Sequence, residues 1–430
     1  MGNNRYTNSE DLLARALKTI PLGAQTFSKS KTQFPLGASP YFAKRSKGAN
    51  IWDVDGNEYV DYMSALLSIT LGYCDPDVTN AVRDQLDKGT IFSLGSELEI
   101  KVAEEICEMV PCAEMVRFGK NGSDATAGAI RIARAYTKQE KVAVCGYHGW
   151  QDWYIGSTSR NLGVPQSTID LTLSFEYNNI ESLARLFRVH KGEIAAVILE
   201  PMNVHLPEDN FLEKVKELTH HNNAVLVFDE TITGFRFSNG GAQEMLGVTP
   251  DLATFGKGLA NGYPLSAVAG KQEIMRLMED VFFSFTFGGE ALSLAASLAT
   301  LKKIKEESVI DRLYQTGEYL SSKLKSLILD NGLDEGYEVL GLPVWSFFVI
   351  KEHPEFSQWE LKTLLIQEMF ANDIINLGSH NITYAHTREH VDKLMRAYSS
   401  FFDKVKAASE AGDISEVLTC EPLKPLFKVR

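Results

Sequence analysis

A lysine between two glycines, Lys257, is the residue of this sequence best suited to act as a nucleophile. Gly256 and Gly258 flank it, and glycine lets a planar group approach the backbone and permits unusual dihedral angles. An amine in such a turn can form a Schiff base with a carbonyl compound. Because most lysines are solvated surface charges, this interpretation needs support from a second residue.

That second residue is Asp229, which directly follows the apolar run 224–228, upstream of Lys257. An acid at the carboxyl end of a buried strand, followed by a lysine in a glycine turn, is what a pyridoxal 5'-phosphate (PLP) site requires. The lysine takes the aldehyde, and the acid keeps the ring nitrogen protonated so that the ring can act as an electron sink. We therefore expect Lys257 and Asp229 to be the catalytic residues of a PLP site.

Three further motifs could complete such a site. The glycine-rich turn 118–126 leads into a predicted helix, whose free N–H groups and positive dipole end suit a phosphate at Gly122 and Ser123. Taken alone, a Gly-Ser helix start is more often a simple cap. Tyr147 follows a predicted strand, where its ring could stack on a cofactor ring. Thr286 opens a second polar glycine turn before a helix and could add a phosphate contact.

The pattern of apolar runs predicts an α/β fold. Helical periods alternate with short β-branched runs, at helices 77–87, 97–110 and 124–137 and at strands 141–145, 195–199, 224–228 and 266–269. This alternation indicates βαβ units and a mostly parallel central sheet covered by helices on both faces. Ligands bind at the carboxyl ends of strands in such sheets. Glu200 and Asp229 both fall at such ends.

The chain is long enough for several lobes, and its pattern of helical and strand-like runs changes near residues 75 and 311. We expect an N-terminal segment of helix, loop and small sheet (1–75), a large PLP-binding domain (76–311) and a small C-terminal domain (312–430). The N-terminal and C-terminal segments together are expected to form a smaller α+β lobe. Ser9 is the expected cap of a first helix over 9–19.

Composition excludes several other classes of protein. The net charge of −13 argues against nucleic acid as a partner. The five cysteines form no even framework, so they read as reduced thiols, and the histidines show no metal-ligand spacing. The start of the sequence lacks a signal-peptide core, and no apolar run has the length of a membrane span. We expect a cytoplasmic protein that binds neither a metal nor a membrane.

Six separated motifs, in a characteristic order, carry a resemblance to a known family. They are the segments 48–62, 121–126, 147–149, 228–236, 240–243 and 255–257. With them the chain resembles class III aminotransferases of fold type I, and among these the glutamate-1-semialdehyde aminomutase branch. The resemblance covers roughly residues 15–310 and extends more loosely to about 407.

The resemblance implies a role for each site residue. Lys257 would be the Schiff-base lysine, and Asp229 the partner of the pyridine nitrogen. The other cofactor-binding residues would be Gly122, Ser123, Tyr147, His148, Glu200 and Thr286. Thr286 is similar to the threonine that such homodimers lend to the phosphate of the neighbouring subunit. A homodimer with shared active sites is therefore expected.

The departures from the family pattern bear on the substrate. The N-terminal loop 25–32 and the segment 376–381 lack the arginines with which relatives hold a carboxylate, and a lysine cannot reproduce a bidentate arginine contact. Polar uncharged residues suit hydroxyl groups, as in relatives that aminate sugars or aminocyclitols in cell-surface polysaccharide and antibiotic pathways. The expected substrate contacts are Lys29, Trp150, Asn203, His380 and Asn381.

Three functions compete at this point. The favoured one is a PLP-dependent aminotransferase that moves an amino group from a donor, plausibly glutamate, to an aldehyde or ketone such as a sugar or polyol. The alternative is glutamate-1-semialdehyde 2,1-aminomutase, which would transfer the group within one molecule for tetrapyrrole synthesis. A non-catalytic PLP-fold binding protein is the second alternative, and an intact Lys257–Asp229 pair argues against it.

Overall fold

The computed structural model describes residues 5–424, and the chain divides into two compact units. The first, called the central unit here, consists of residues 67–69 and 76–310 within that range. The second, the terminal unit, consists of the described residues up to 66, residues 70–75 and those from 311 onward. The segments 1–75, 76–311 and 312–430 were expected to be domains, and that division stays a prediction.

The helices and strands are named in chain order. The helices are α1 (Thr7–Ala16), α2 (Ser64–Leu67), α3 (Pro76–Leu86), α4 (Glu97–Met109), α5 (Gly122–Thr137), α6 (Asp152–Ile155), α7 (Gln166–Ile169), α8 (Ile180–Val189), α9 (Phe211–His221), α10 (Ala242–Leu246), α11 (Gln272–Met275), α12 (Ala291–Glu306), α13 (Val309–Asp330), α14 (Gln358–Ala371) and α15 (Arg388–Ala411). The strands are β1 (Ala43–Lys47), β2 (Asn50–Asp53), β3 (Glu58–Asp61), β4 (Met115–Gly119), β5 (Lys141–Cys145), β6 (Thr172–Ser174), β7 (Ile194–Leu199), β8 (Val225–Asp229), β9 (Leu252–Phe255), β10 (Ser266–Gly270), β11 (Tyr337–Leu342), β12 (Trp345–Ile350), β13 (Ile374–Ile375) and β14 (Ser379–Asn381).

A seven-stranded sheet forms the middle of the central unit, in the order β4-β10-β9-β8-β7-β5-β6. The pairs β5–β6, β5–β7, β7–β8 and β8–β9 are parallel, whereas β10 runs antiparallel to both β4 and β9. The mostly parallel sheet predicted from the sequence is confirmed. Its parallel strands β7 and β8 end at Leu199 and Asp229, so the side chains after these strands lie at one edge.

Side chains of the strands alternate between two apolar clusters. Val142 and Val144 of β5 pack with the small buried residues of α5, and Ala143 and Cys145 pack on the opposite face with α8 and α9. This follows from the two-residue period of a strand, whose successive side chains point to opposite faces. Burying one such valine or leucine side chain contributes about 1.5–3 kcal/mol. The sheet is thus a rigid, doubly covered support for the residues at its edge.

The terminal unit contains two small sheets and the long helices α13–α15. One sheet has the order β1-β2-β3-β13, in which β13 pairs parallel with β3, and the other has the antiparallel order β11-β12-β14. Tyr59 of β3 packs edge-on against Phe370 of α14, with ring centroids 5.6 Å apart. The predicted α+β character of this part of the chain is confirmed.

The first helix corrects one expectation. Ser9 was expected to cap it, but α1 begins at Thr7 and Ser9 lies within the helix, fully buried. The Ser9 Oγ accepts a hydrogen bond of 2.6 Å from the backbone N–H of Tyr41. The hydroxyl therefore accepts a hydrogen bond from a loop distant in sequence and does not cap the helix. Local sequence could not reveal this contact.

A buried carboxylate, Asp251, stabilises the amino end of β9. It accepts hydrogen bonds from the Leu226 backbone (2.8 Å) and His220 Nε2 (2.9 Å), and it pairs with Lys271 Nζ (2.7 Å). Burial alone would raise the pKa of Asp251, but the contacts with Lys271, Leu226 and His220 lower it below its ordinary value. A carboxylate with a lowered folded-state pKa stabilises the protein above its unfolded pKa, and this contribution disappears as the pH falls through the folded pKa.

We expect Asp251→Asn to lower the free energy of unfolding at pH 7 by about 1.5–3 kcal/mol, the usual contribution of hydrogen bonds to a charged group. The deficit relative to the wild type should shrink below about pH 4, where the unfolded carboxylate is protonated. Urea denaturation at several pH values measures it. The exposed Asp280, changed to Asn, is the matched control. A deficit that does not vary with pH would contradict the assignment.

Candidate active site

Lys257 stands directly after the buried strand β9 and Gly256. Its φ is +43°, in the left-handed region, and it begins a short 3-10 turn over Lys257–Ala260. A residue with a Cβ loses about 1–2 kcal/mol in this conformation, and such strain is concentrated at functional sites. A Cβ added to Gly256 would lie 3.3 Å from Thr231 Cγ2, so the chain before the lysine packs closely against its neighbours.

Asp229 is the last residue of β8 and is almost completely buried. Its Oδ2 lies 2.8 Å from His148 Nδ1, while its Oδ1 accepts from the Thr231 backbone and from Thr254 Oγ1, both at 3.1 Å. Burial would raise the pKa of Asp229, but the hydrogen bonds with His148 and Thr231 lower it below its ordinary value. The group is therefore a charged carboxylate that is almost completely buried.

His148 is the closest partner of Asp229. Its Nδ1 faces the Asp229 carboxylate, and its Nε2 lies 3.2 Å from the carbonyl oxygen of Cys145. The imidazole therefore bridges the Asp229 carboxylate and the Cys145 carbonyl. The ring also packs edge-on against Tyr154, with centroids 5.1 Å apart. His148 thus fixes the orientation of the carboxylate from the side of the sheet.

The N-terminus of α5 lies at the same site. The helix begins at Gly122, and Asp124 Oδ2 accepts from the backbone N–H groups of Lys120 (3.0 Å) and Asn121 (2.8 Å). The helix dipole and the N–H groups of the first turn favour an anion here. A Cβ added to Gly149, at φ +105°, would come within 2.2 Å of Ser123 Oγ, so only glycine permits the close approach of this loop to the helix start.

Tyr147 and Glu200 meet at the carboxyl ends of β5 and β7. The Tyr147 backbone N–H donates to Glu200 Oε2 at 3.2 Å, and the Tyr147 ring lies edge-on to Tyr154. A Cβ on Gly146, at φ +106°, would lie 2.6 Å from the same Glu200 oxygen. The buried Glu200 therefore anchors the loop that carries the tyrosine ring.

A cavity of about 320 Å³ lies within the central unit, among the residues described above. Its lining brings together the following residues predicted from the sequence: Lys257, Asp229, Gly122, Ser123, Tyr147, His148 and Glu200. Other residues of the site were not predicted from the sequence, among them Lys120 and Thr231 of the lining and Thr254, which contacts Asp229. Thr254 could have been recognised from the sequence, because it is a polar residue inside the apolar run before Lys257.

Thr286, Trp150 and Asn203 lie outside this lining. Thr286 is exposed in the turn before α12, and Trp150 is exposed over 69% of its surface. Asn203 lines a different cavity, together with Cys145 and Tyr177. The roles expected for these three residues stay predictions.

Lys29, His380 and Asn381 belong to the terminal unit. Lys29 is exposed and lines a mainly apolar cavity of that unit. His380 is fully buried, and its ring nitrogens lie 3.0 Å from Ser346 Oγ and 2.7 Å from the Tyr398 hydroxyl. Burial lowers the pKa of His380 to about 3. Asn381 is also buried and donates to the Met63 carbonyl. His380 and Asn381 thus make hydrogen bonds within their own unit. The substrate contacts expected for Lys29, His380 and Asn381 stay predictions.

The donor set fits PLP. Glycines keep the N-terminus of α5 open for a phosphate, a charged carboxylate is available for the ring nitrogen, and a lysine lines the same cavity. Within the described residues there is no cluster of three or more His, Cys, Asp or Glu side chains suited to a metal ion.

Comparisons with known proteins identify the family. Residues 34–333 match the model of the class-III aminotransferases. The chain is 32% identical to a 3-aminobutyryl-CoA aminotransferase of Cloacimonas acidaminovorans over 94% of this chain and 98% of that protein. It is 41% identical to a glutamate-1-semialdehyde 2,1-aminomutase of Alkaliphilus oremlandii, over 74% of this chain and 79% of the relative.

A solved structure agrees with this. The FumI protein of Sphingopyxis sp. MTA144, in its PLP internal aldimine form, superposes with a TM-score of 0.88 at 28% identity, covering 97% of this chain and 99% of that one. The chain thus belongs to the class III aminotransferases. It is a PLP-dependent enzyme with the fold type I architecture. The family resemblance inferred from the sequence is confirmed.

Proposed function

We propose that this enzyme transfers an amino group from an amino donor such as glutamate to an aldehyde or ketone, with Lys257 and Asp229 as catalytic residues. The observation that carries the proposal is that both residues line one cavity together with the N-terminus of α5. Bound PLP supplies the carbonyl carbon that accepts the amine and the ring that withdraws electrons.

Each residue has a role that follows from its chemistry. Lys257 Nζ holds the cofactor and then moves a proton as a general acid and base. The Asp229 carboxylate, fixed by His148, holds a proton on the ring nitrogen. The N–H groups at Gly122 and Ser123 bind the phosphate, and Tyr147 covers the ring. Glu200 keeps the Tyr147 loop in place through its backbone contact.

The acceptor is proposed to carry hydroxyl groups, as a sugar or related polyol of cell-surface polysaccharide or secondary-metabolite biosynthesis does. Supporting this, the described lining of the cavity contains hydroxyl and amide side chains such as Ser68, Asn121 and Tyr263, and no arginine. Hydroxyl and amide groups match a polyol in donor and acceptor number.

A second candidate is glutamate-1-semialdehyde 2,1-aminomutase, which the 41% identical relative favours. The two reactions differ in whether a donor is consumed. Incubating the PLP-loaded enzyme with single amino acids and following conversion to the pyridoxamine form tests the aminotransferase. Aldehydes and keto-sugars should then restore the PLP spectrum. Isomerisation of glutamate 1-semialdehyde without a donor, combined with failure of every amino acid to convert the cofactor, would favour the aminomutase.

We further propose a homodimer in which Thr286 of each chain contacts the phosphate of the partner's site. Around the Thr286 turn, Phe282 and Phe287 are exposed over 78% and 57% of their surfaces. Exposed aromatic residues of this kind are typical of interface cores, and a two-fold contact would cover them. The apolar residues Leu94 and Ile100 of the same unit are exposed as well.

The dimer predicts complementation. Mixing Lys257→Ala chains with Thr286→Ala chains should create heterodimers in which one site holds both intact residues, and that site should bind PLP more tightly than any site of the Thr286→Ala homodimer. Absorbance titration with PLP measures this, with unmixed variants as controls. A wild type that sediments as an active monomer would contradict the shared site.

For location, we propose the cytoplasm, since all five cysteines are free thiols, as in reducing compartments. Within residues 5–424, none of the helices combines the length and the apolar character needed to cross a membrane.

A further inference from the structure

Lys120 is a lysine of the cavity lining that the mechanism above does not use. Its side chain is only 16% exposed, and its ammonium is held by three acceptors: Glu290 Oε2 at 3.0 Å, the Pro264 carbonyl at 3.1 Å and Ser293 Oγ at 3.3 Å. Pro264 also lines the cavity. The ammonium thus lies beside Pro264, which forms part of the cavity lining.

Glu290, the partner of Lys120, is the N-cap of α12 and has other donors. Its Oε1 accepts from the Leu292 backbone (2.8 Å), and its Oε2 accepts from the Ser293 backbone (3.1 Å) and from Ser293 Oγ (2.6 Å). If the Lys120 ammonium moved away, the Glu290 carboxylate would keep these three hydrogen bonds. Separating the pair therefore leaves no buried charge without a partner, which is the usual obstacle to breaking a buried ion pair.

An amino-acid donor brings a carboxylate into the cavity, and a buried carboxylate needs a cation or several hydrogen-bond donors. Lys257 is committed to the cofactor, His148 faces Asp229, and no arginine is among the described lining residues. Lys120 is the remaining cation of that described lining.

We propose that Lys120 binds the carboxylate of the amino donor, exchanging Glu290 for that carboxylate; this rests on the aminotransferase function proposed above. With an uncharged acceptor in the cavity, Lys120 returns to Glu290. One site can then accept an anionic donor and a neutral acceptor in turn, without an unpaired charge in either case. Glu290 competes with the donor for the ammonium, so it sets the donor's affinity.

Binding of two unreactive ligands tests this on the PLP-loaded enzyme by calorimetry. Glutarate carries the carboxylates of glutamate, and glutaramide is its uncharged analogue. We expect Lys120→Met to weaken glutarate binding at least about tenfold, equivalent to about 1.4 kcal/mol, and to leave glutaramide binding unchanged. Lys120→Arg should keep most of the affinity. Glu290→Gln should strengthen glutarate binding, because an amide competes less well for the ammonium.

The exposed Lys302 of α12, changed to Met, is the matched control and should bind both ligands as the wild type does. In turnover, Lys120→Met should raise the KM for glutamate with little change in kcat. The proposal is wrong if Lys120→Met binds glutarate normally, if both ligands lose affinity equally, or if the wild type does not bind glutarate. It is also wrong if Lys120→Met weakens PLP binding but not pyridoxal binding, because Lys120 would then serve the phosphate.

The two proposals fail separately. A wild type that converts its cofactor with amino donors, while Lys120→Met changes nothing, keeps the aminotransferase function and removes the role of Lys120. A wild type that transfers no amino group from any donor removes the function, whereas glutarate binding still decides whether Lys120 recognises carboxylates.

Discussion

Lys257→Ala should abolish the visible absorption of the lysine-bound cofactor and lower the rate of amino-group transfer by at least about 10²–10⁴-fold. The rate loss reflects the share that a positioned general acid–base group contributes. We expect no other amine to replace Lys257, because the one other lysine of the described lining, Lys120, has its ammonium held by Glu290. Absorbance spectra with added PLP and single-turnover kinetics with an amino donor measure both effects.

Lys257→Arg is a useful companion variant, since it keeps the charge but cannot attach the cofactor, and it should be as inactive as Lys257→Ala. Lys302→Ala, on the surface of α12, should leave spectrum and rate unchanged. Retention of the visible band in Lys257→Ala would show that another amine holds the cofactor, and the assignment of Lys257 would have to be abandoned.

Asp229→Asn should retain PLP but slow the proton-transfer step by about 10²–10³-fold, a typical loss when one preorganised electrostatic group is removed. The Asp229 carboxylate is charged because the hydrogen bonds with His148 and Thr231 outweigh its burial and lower its pKa. An amide at the same place preserves the shape of the site but no longer favours a protonated ring nitrogen. The measurements are the PLP dissociation constant and the rate of conversion to the pyridoxamine form.

Asp280→Asn, at an exposed carboxylate of the same unit, controls for the loss of one negative charge. His148→Asn is expected to have an intermediate effect. It leaves the Asp229 carboxylate in place but removes the hydrogen bond between that carboxylate and the imidazole ring of His148. Its rate should fall between those of the wild type and Asp229→Asn. Full activity of Asp229→Asn would rule out the proposed role.

Much of the cavity could be predicted from the sequence because its residues sit next to strong local signals. Asp229 ends an apolar run, Lys257 stands between glycines, and Gly122 opens a helix, so each can be recognised without knowing what it touches. Where several parallel strands end, such residues meet at one edge of the sheet. The mostly parallel sheet followed from the same alternation of apolar runs and helical periods, which indicated β5, β7, β8 and β10 but not β4, β6 and β9.

The contacts that tie distant segments together could not be predicted. Lys120 pairs with Glu290, 170 residues further along the chain, and no local pattern encodes such a pairing. His380 lies in the segment 376–381, which was singled out because it lacks an arginine, and nothing in its local sequence indicated that β14 buries this histidine beside the Tyr398 hydroxyl.

The left-handed backbone of Lys257 has a consequence for laboratory evolution. At φ +43° almost any residue with a side chain is strained, and glycine is the residue that would relieve the strain. Selection for thermal stability alone should therefore favour replacement of Lys257 by glycine. This change would remove the nucleophile and relieve about 1–2 kcal/mol of backbone strain. A library screened only for heat resistance would lose active members at this position, so turnover has to be selected in the same round.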